Sequence, residues 1–276
     1  SNEKEFTEKF REILENSKIQ KFGHDLAEDY VIFKQLGITT EAIFYDVKIA
    51  AYDINPTDKY TIENLSVEYF NLYIDEYLEK RGITKEKNKQ IDLFTGIEED
   101  ENNYDAIKND LYSYCISKIY DVTSKKLEEE NLLDLFNNIE MPLVQVLGEM
   151  QFNGMPIDKD ELVAFGNKLK EQIESLKQEI YKSVGEEFNI NSTQQLGKIL
   201  FEKLKLPVYK KTKTGYSTDS DILEKLLQEH PVIEKLLEYR SLVKLNSTYV
   251  EGLIPYINPK TQRIHSYFHQ TITATG

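Results

Sequence analysis

Residues 210–218 read Lys-Lys-Thr-Lys-Thr-Gly-Tyr-Ser-Thr, placing three lysines, four hydroxyl side chains, a tyrosine and a glycine between two helical patterns. The stretch has almost no apolar content, so core packing does not account for it. Cations and hydroxyls on a flexible tip suit phosphate oxygens. Lys210, Lys211 and Lys213 attract them, while Thr212, Thr214, Ser217 and Thr218 donate hydrogen bonds that read no sequence. Gly215 permits a turn with positive φ. The plainer alternative is a solvated loop, and Ser217 and Thr218 serve equally as helix caps. The two roles are compatible, because a helix N-terminus is itself an anion site. A second polar cluster follows at Lys244, Asn246, Ser247 and Thr248, and a third at Arg263 and His265. For Lys244 the alternative is a cation stabilising the C-terminal end of a helix.

The elements that must hold these groups are mainly helical. Apolar spacing predicts helices over about 3–16, 26–36 and 104–128, with short strands near 18–23 and 43–45. A further helix starts at Val47 and is stopped by Pro56, and short helices are expected at 61–65 and 73–79. The charged stretch 84–102 reads as a loose loop. Residues 132–152 carry a helical stripe closed by Asn153-Gly154. Asp158 with Glu161 forms a capping box for a helix running to about Val184, roughly 40 Å long. Ser192 with Gln195 reads as a second box and Thr218 with Asp221 as a third. Helices are expected at about 219–227 and 230–249, and residues 262–274 alternate like a strand pair or a bent strand. The picture is two long antiparallel helices with a small helical cap that carries the basic tip.

Bulk properties bound the function. At 276 residues the chain is long enough for one large or two ordinary domains. No apolar run is long enough to span a membrane. The charged residues 1–17 do not read as a signal peptide. The single Cys115 excludes an internal disulfide and a cysteine zinc site, and fits a reducing cytoplasm. A net charge of −14 argues at first against a polyanionic partner. Its distribution reverses the argument. Residues 1–136 hold 17 basic and 30 acidic side chains, whereas from Lys198 onward there are 12 basic and 8 acidic. Such asymmetry predicts a two-part molecule with nucleic acid at one end.

Several blocks in order carry a family resemblance. They are Glu140-Met141-Pro142-Leu143, Phe188-Asn189-Ile190-Asn191-Ser192, Gln195-Leu196-Gly197, residues 199–204, residues 211–218, Tyr239-Arg240, Lys244-Leu245, Ser247-Thr248-Tyr249 and Thr273-Ala274-Thr275-Gly276. Residues 140–276 thereby resemble the thumb and first palm strands of the bacterial DNA polymerase I family, the family A DNA polymerases. The resemblance implies a thumb that closes on primer–template duplex, with Lys244, Asn246, Ser247 and Thr248 near its backbone and Arg263 and His265 on the strand that begins the palm. It implies a DNA-directed DNA polymerase as parent, adding nucleotides with magnesium. The chain stops inside a motif that the family continues, so the expectation is a fragment without the polymerase active site or a cofactor of its own.

Residues 18–128 resemble the 3′–5′ exonuclease domain of the same enzymes, through Lys21-Phe22-Gly23-His24-Asp25-Leu26, Asp29, and Tyr45-Asp46-Val47 with Ala50-Ala51-Tyr52. In active relatives, carboxylates hold two divalent metals. Asp25 and Asp29 match one acidic motif and lie one helical turn apart. Where another motif needs a tyrosine and an aspartate, this chain has Cys115 and Ile119, and isoleucine cannot ligate magnesium. Asp25 and Asp29 are therefore expected to be vestigial, their alternative role being acids at a helix N-terminus. The fold class expected is mainly α with a small α/β part: an incomplete, inactive ribonuclease H-like exonuclease domain (1–130), a thumb (131–255) and a truncated palm (256–276). The expected partner is double-stranded primer–template DNA, bound by a monomer without a membrane. A metal-dependent 3′–5′ exonuclease and a helical protein-interaction module are the alternatives.

Overall fold

The computed structural model describes residues 2–83, 101–212 and 215–275. The chain forms two compact units: Ser1–Gly154 with Ser266–Gly276, and Met155–His265.

The first unit begins with α1 (Asn2–Leu14), followed by β1 (Lys21–Gly23), α2 (Leu26–Gln35) and β2 (Ile43–Asp46). The two strands pair in parallel, so α2 is a βαβ crossover. Then come α3 (Val47–Ile54), α4 (Ile62–Phe70), α5 (Ile74–Glu79) and the 29-residue α6 (Glu101–Glu129). Asp46 starts α3 by accepting from the amides of Lys48 (2.9 Å) and Ile49 (3.4 Å), and Thr61 caps α4 in the same way. The core gathers Tyr45, Val47, Ala50, Leu65, Ile119 and Phe136. Cys115 and Ile119 are fully buried there, which gives those two positions a packing role. The loose loop expected at 84–102 lies, up to residue 100, outside the described residues, and α6 already includes 101 and 102.

The helical stretch expected over 132–152 is three segments in continuation: α7 (Leu133–Leu135), a π-helical segment (Phe136–Glu140) and α8 (Met141–Asn153). α8 packs on α2, where Gly148 admits the ring of Tyr30. A Cβ added at Gly148 would stand 2.6 Å from Tyr30 Cδ1. This packing places residues 131–154 in the first compact unit. Residues 266–275 return to the first unit: the Tyr267 hydroxyl donates to Asp25 (2.8 Å), Gln270 Nε2 donates to the Glu140 carbonyl (2.8 Å) and the Tyr52 hydroxyl to the Thr273 carbonyl (3.0 Å).

In the second unit α9 (Lys159–Val184) runs for 26 residues, started by Asp158 and stopped by Gly185 at φ 81°. It is followed by α10 (Thr193–Gly197), a π-helical segment (Lys198–Lys203), β4 (Lys211–Thr212), β5 (Gly215–Tyr216) and α11 (Ser220–Lys225). α12 (Val232–Lys244) continues into a third π-helical segment (Leu245–Glu251). α9 and α12 lie antiparallel: Glu179 pairs with Lys235 (2.7 Å) at one end, and Lys170 with Glu251 (2.8 Å) at the other. Ile180, Leu196, Leu200, Leu223, Leu226 and Leu236 form the core of the cap. The antiparallel pair and its cap match the sequence expectation, because both follow from a helical apolar stripe broken by glycine and proline.

Three local expectations are corrected. The strand expected over 262–274 shrinks to β6 (Arg263–Ile264), which pairs with the two-residue β3 (Met155–Pro156). Beyond Ile264 the backbone is irregular, and Tyr267, Gln270 and Thr273 bond groups of the first unit. The box expected at Thr218 does not form. Asp219 is the N-cap residue of α11, without a side-chain cap, since Thr218 is engaged elsewhere. The helix expected through 249 leaves α geometry after Lys244.

Candidate nucleic-acid interface

The basic tip is a hairpin. Lys211 pairs with Tyr216 and Thr212 with Gly215, antiparallel, and Gly215 takes φ 147°, a conformation that side-chain-bearing residues rarely adopt. Lys213 and Thr214, expected at its apex, lie outside the described residues, and so does the side chain of Thr212. The base is closed by the Ser217 amide donating to the Lys210 carbonyl at 3.1 Å. One side of the hairpin is packed inward: the Tyr216 ring stacks at 4.9 Å on Phe201, and a Cβ on Gly197 would meet Tyr216 Cβ at 3.3 Å. The other carries charge outward. Lys210 and Lys211 are exposed; Lys211 Nζ lies 5.9 Å from the Tyr216 ring centroid, and Lys210 Nζ lies 3.6 Å from Asp219.

Two expected contact residues of the tip do not face solvent. Ser217 is 2% and Thr218 3% exposed. The Ser217 hydroxyl donates to Asp219 at 2.7 Å, which holds the Asp219 carboxyl below its ordinary pKa, Lys210 adding to the effect. Arg240 donates to both the carbonyl and the hydroxyl of Thr218. These side chains build the hairpin instead of reaching a ligand. Spacing along the chain missed Arg240 and Asp219, although Arg240 stood in the matched text.

The second cluster begins one helical turn past Arg240. Lys244, Ser247 and Thr248 are exposed on the end of α12 and the π segment. Asn246 is buried, and its Oδ1 has no hydrogen-bond partner among the described residues. It packs where Gly166 lets the helices approach, a Cβ there meeting Val250 at 2.7 Å. Asn246 is thus a packing residue and leaves the expected surface set. Arg263 is half-buried in β6, and His265 is exposed, its Nε2 3.0 Å from Thr261 Oγ1. β6 pairs just before the start of α9, so this third cluster stands at the end of the arm away from the cap. Thr218 of the first cluster bonds Arg240, one helical turn before Lys244 of the second, and the third cluster stands apart.

The acidic pair of the first unit is not arranged for metal. The Asp25 carboxylate takes the Lys48 ammonium at 2.5 Å and the Tyr267 hydroxyl at 2.8 Å, so a lysine already supplies its counter-charge. It flanks α2 at φ 62° and does not cap it. Asp29 is pushed up to about 6, mainly by burial, with Asp46 and Asp25 adding repulsion. Asp46 is buried, accepts from the amides of Asp25, Leu26, Lys48 and Ile49, and is raised by burial. In sequence it is marked by the Tyr45-Asp46-Val47 block of the resemblance and by its place just before a helical run. No group of three or more His, Cys, Asp or Glu among the described residues could hold a metal ion. These residues do not fit a two-metal centre.

Comparison with known proteins accounts for both units. Residues 159–276 match the DNA polymerase family A model, and residues 1–90 match the DNA polymerase I, ribonuclease H-like domain. The chain is 35% identical to DNA polymerase I of Bacillus subtilis over 98% of its own length and 30% of that protein's. It is 48% identical to DNA polymerase I of Bacillus caldotenax over 55% of its length and 17% of that protein's. The POL domain of Pol1 from M. smegmatis, solved in complex with DNA primer-template and dNTP, superimposes with a TM-score of 0.78 at 26% identity, covering 97% of this chain and 42% of that one. The chain therefore spans about 30% of the B. subtilis relative's length. Two family models in the order of the two units, together with relatives matching nearly end to end, place the chain in the family A DNA polymerases, of the DNA polymerase I type.

Proposed function

We propose that residues 131–255, most of which lie in the second unit, are the thumb of a DNA polymerase I-type enzyme and hold primer–template duplex through its backbone, with 256–276 as the start of the palm. The observation that carries this reading is the outward-facing Lys210 and Lys211 on a hairpin whose inner side is packed, with exposed Lys244, Ser247 and Thr248 beyond it. Exposed cations and hydroxyls on a rigid arm attract phosphates of any sequence, and the solved relative that shares the fold carries primer-template DNA. Lys213, Thr214, Arg263 and His265 belong to the proposed contact set. For the whole enzyme we propose template-directed nucleotide addition, with magnesium as the divalent metal, in the bacterial cytoplasm and as a monomer. No described helix is long and apolar enough to cross a membrane.

Fluorescence anisotropy with a primer–template duplex across a salt series tests the thumb. Lys211→Ala/Lys244→Ala is expected to flatten the slope of log K against log salt by about 2 and to weaken binding roughly tenfold at moderate salt. Unchanged binding by this variant counts against the interface. For the first unit we propose an exonuclease-like fold without exonuclease activity. Incubated with single-stranded DNA and manganese, the protein is expected to release no more nucleotide than a chelator-treated control. Release that disappears in Asp29→Ala would reverse this assignment.

A further inference from the structure

We propose that Arg240 is the positioning residue of the phosphate-gripping hairpin, an inference that rests on the duplex-binding reading above. The hairpin has only two-residue strands, Lys211–Thr212 and Gly215–Tyr216. An isolated pair of such strands is marginal at best, so something outside it must hold Lys210 and Lys211 in place. The chain enters the hairpin through Lys210 and leaves through Ser217, and the Ser217 amide joins the two at 3.1 Å. The next residue, Thr218, is 3% exposed. It is gripped from α12 by both terminal nitrogens of Arg240, one on its carbonyl and one on its hydroxyl at 3.1 Å. A planar guanidinium fork fixes direction as well as distance, which a lysine cannot do.

Arg240 is not placed as a phosphate ligand. It is half-buried, its donors point at Thr218, and burial is the main influence on its guanidinium. It acts through the exposed lysines. Holding the tip in its bound form before the duplex arrives removes an ordering cost from binding. Asp219 links the arrangement on the surface side, accepting from Ser217 and facing Lys210.

The test compares Arg240→Gln, Arg240→Lys and Thr218→Val with the unaltered chain, reading duplex affinity across a salt series and hydrogen exchange at the Ser217 amide. Arg240→Gln is expected to weaken binding about tenfold and to flatten the salt slope by about 2, because both tip lysines lose register. The Ser217 amide is expected to exchange faster while amides in the middle of α9 keep their protection. Arg240→Lys retains the charge and is expected not to restore the slope. Thr218→Val is expected to give an intermediate loss that does not add to that of Arg240→Gln. A full slope in Arg240→Gln, complete rescue by Arg240→Lys, or an unaltered Ser217 exchange rate overturns the inference. An unaltered chain that binds duplex without salt dependence refutes the thumb reading itself, and the exchange measurement still judges the role of Arg240 in holding the hairpin.

Discussion

Phe136→Ala is expected to destabilise the first unit by about 3–5 kcal/mol. The ring is fully buried at the start of the π-helical segment. Its centroid lies 4.6 Å from that of Tyr45, which in turn meets Tyr120 edge-on at 4.7 Å. Truncation removes the transfer free energy of a phenyl group and leaves a void beside the Tyr45 ring. Tyr45 cannot move in to fill it, because its hydroxyl is held by Thr123 at 2.9 Å, and Thr123 is itself tied to the Ile119 carbonyl. The cost therefore falls toward the upper part of the range. Phe136→Leu, which retains most of the volume, is expected to cost less than half as much. Urea unfolding combined with hydrogen exchange at the amides of α3 and α6 reports the first unit separately from the second. A loss below about 1 kcal/mol for the alanine variant would mean that the ring does not organise this core.

Asp53→Asn is expected to stabilise the first unit by about 2–4 kcal/mol at pH 8 and to have little effect near pH 4. The Asp53 carboxyl is pushed up to about 7, first by burial and then by the nearby Glu140. Its Oδ2 has no hydrogen-bond partner among the described residues. The sign follows from comparing the two states. In the unfolded chain this group ionises near 3.8, so between that value and about 7 the folded state holds a proton that the unfolded state has released. The favourable contribution of the protonated group is complete below pH 3.8 and is lost as pH rises through 7. Asparagine removes the ionisation and keeps the shape. Stability against urea at pH 4 and pH 8 measures the effect, and a variant equal to or less stable than the unaltered protein at pH 8 would refute it.

Much of the arm was legible because its signals are local. The Asp158 cap and the reach to about Val184 lie within one helix, and α9 forms as read. The same holds for Ser192, which caps α10 by accepting from the Gln195 amide at 3.4 Å. The hairpin was legible in part: glycine at 215 and cations around it identify an exposed turn. Which of its hydroxyls face outward was not. Ser217 and Thr218 are hydroxyl residues like Thr212 in sequence, but Thr218 is held by Arg240, 22 residues away, and Ser217 bonds Asp219.

The first unit shows the limit more sharply. Asp25 and Asp29 were found through the family resemblance, yet their state depends on partners that no local pattern names: Lys48 from α3, Tyr267 from the returning tail, and Asp46 from the end of β2. Likewise 262–274 alternates as a strand should, but a strand needs a neighbour along its whole length. Among the described residues Met155–Pro156 pairs with Arg263–Ile264 and no further, and beyond it Tyr267, Gln270 and Thr273 bond groups of the first unit.

By itself the sequence determined most of the helical segments, the caps that start α9 and α10, that the acidic charge gathers in one half, and which family the chain belongs to. All of these depend on residues close together in the chain or on patterns summed along it. The tertiary structure alone decided which hydroxyls are exposed, which carboxylate meets an ammonium, and which glycines must admit a neighbouring ring or helix. Those outcomes are set by contacts between groups far apart in the chain, where burial and pairing, not local preference, dominate the free energy.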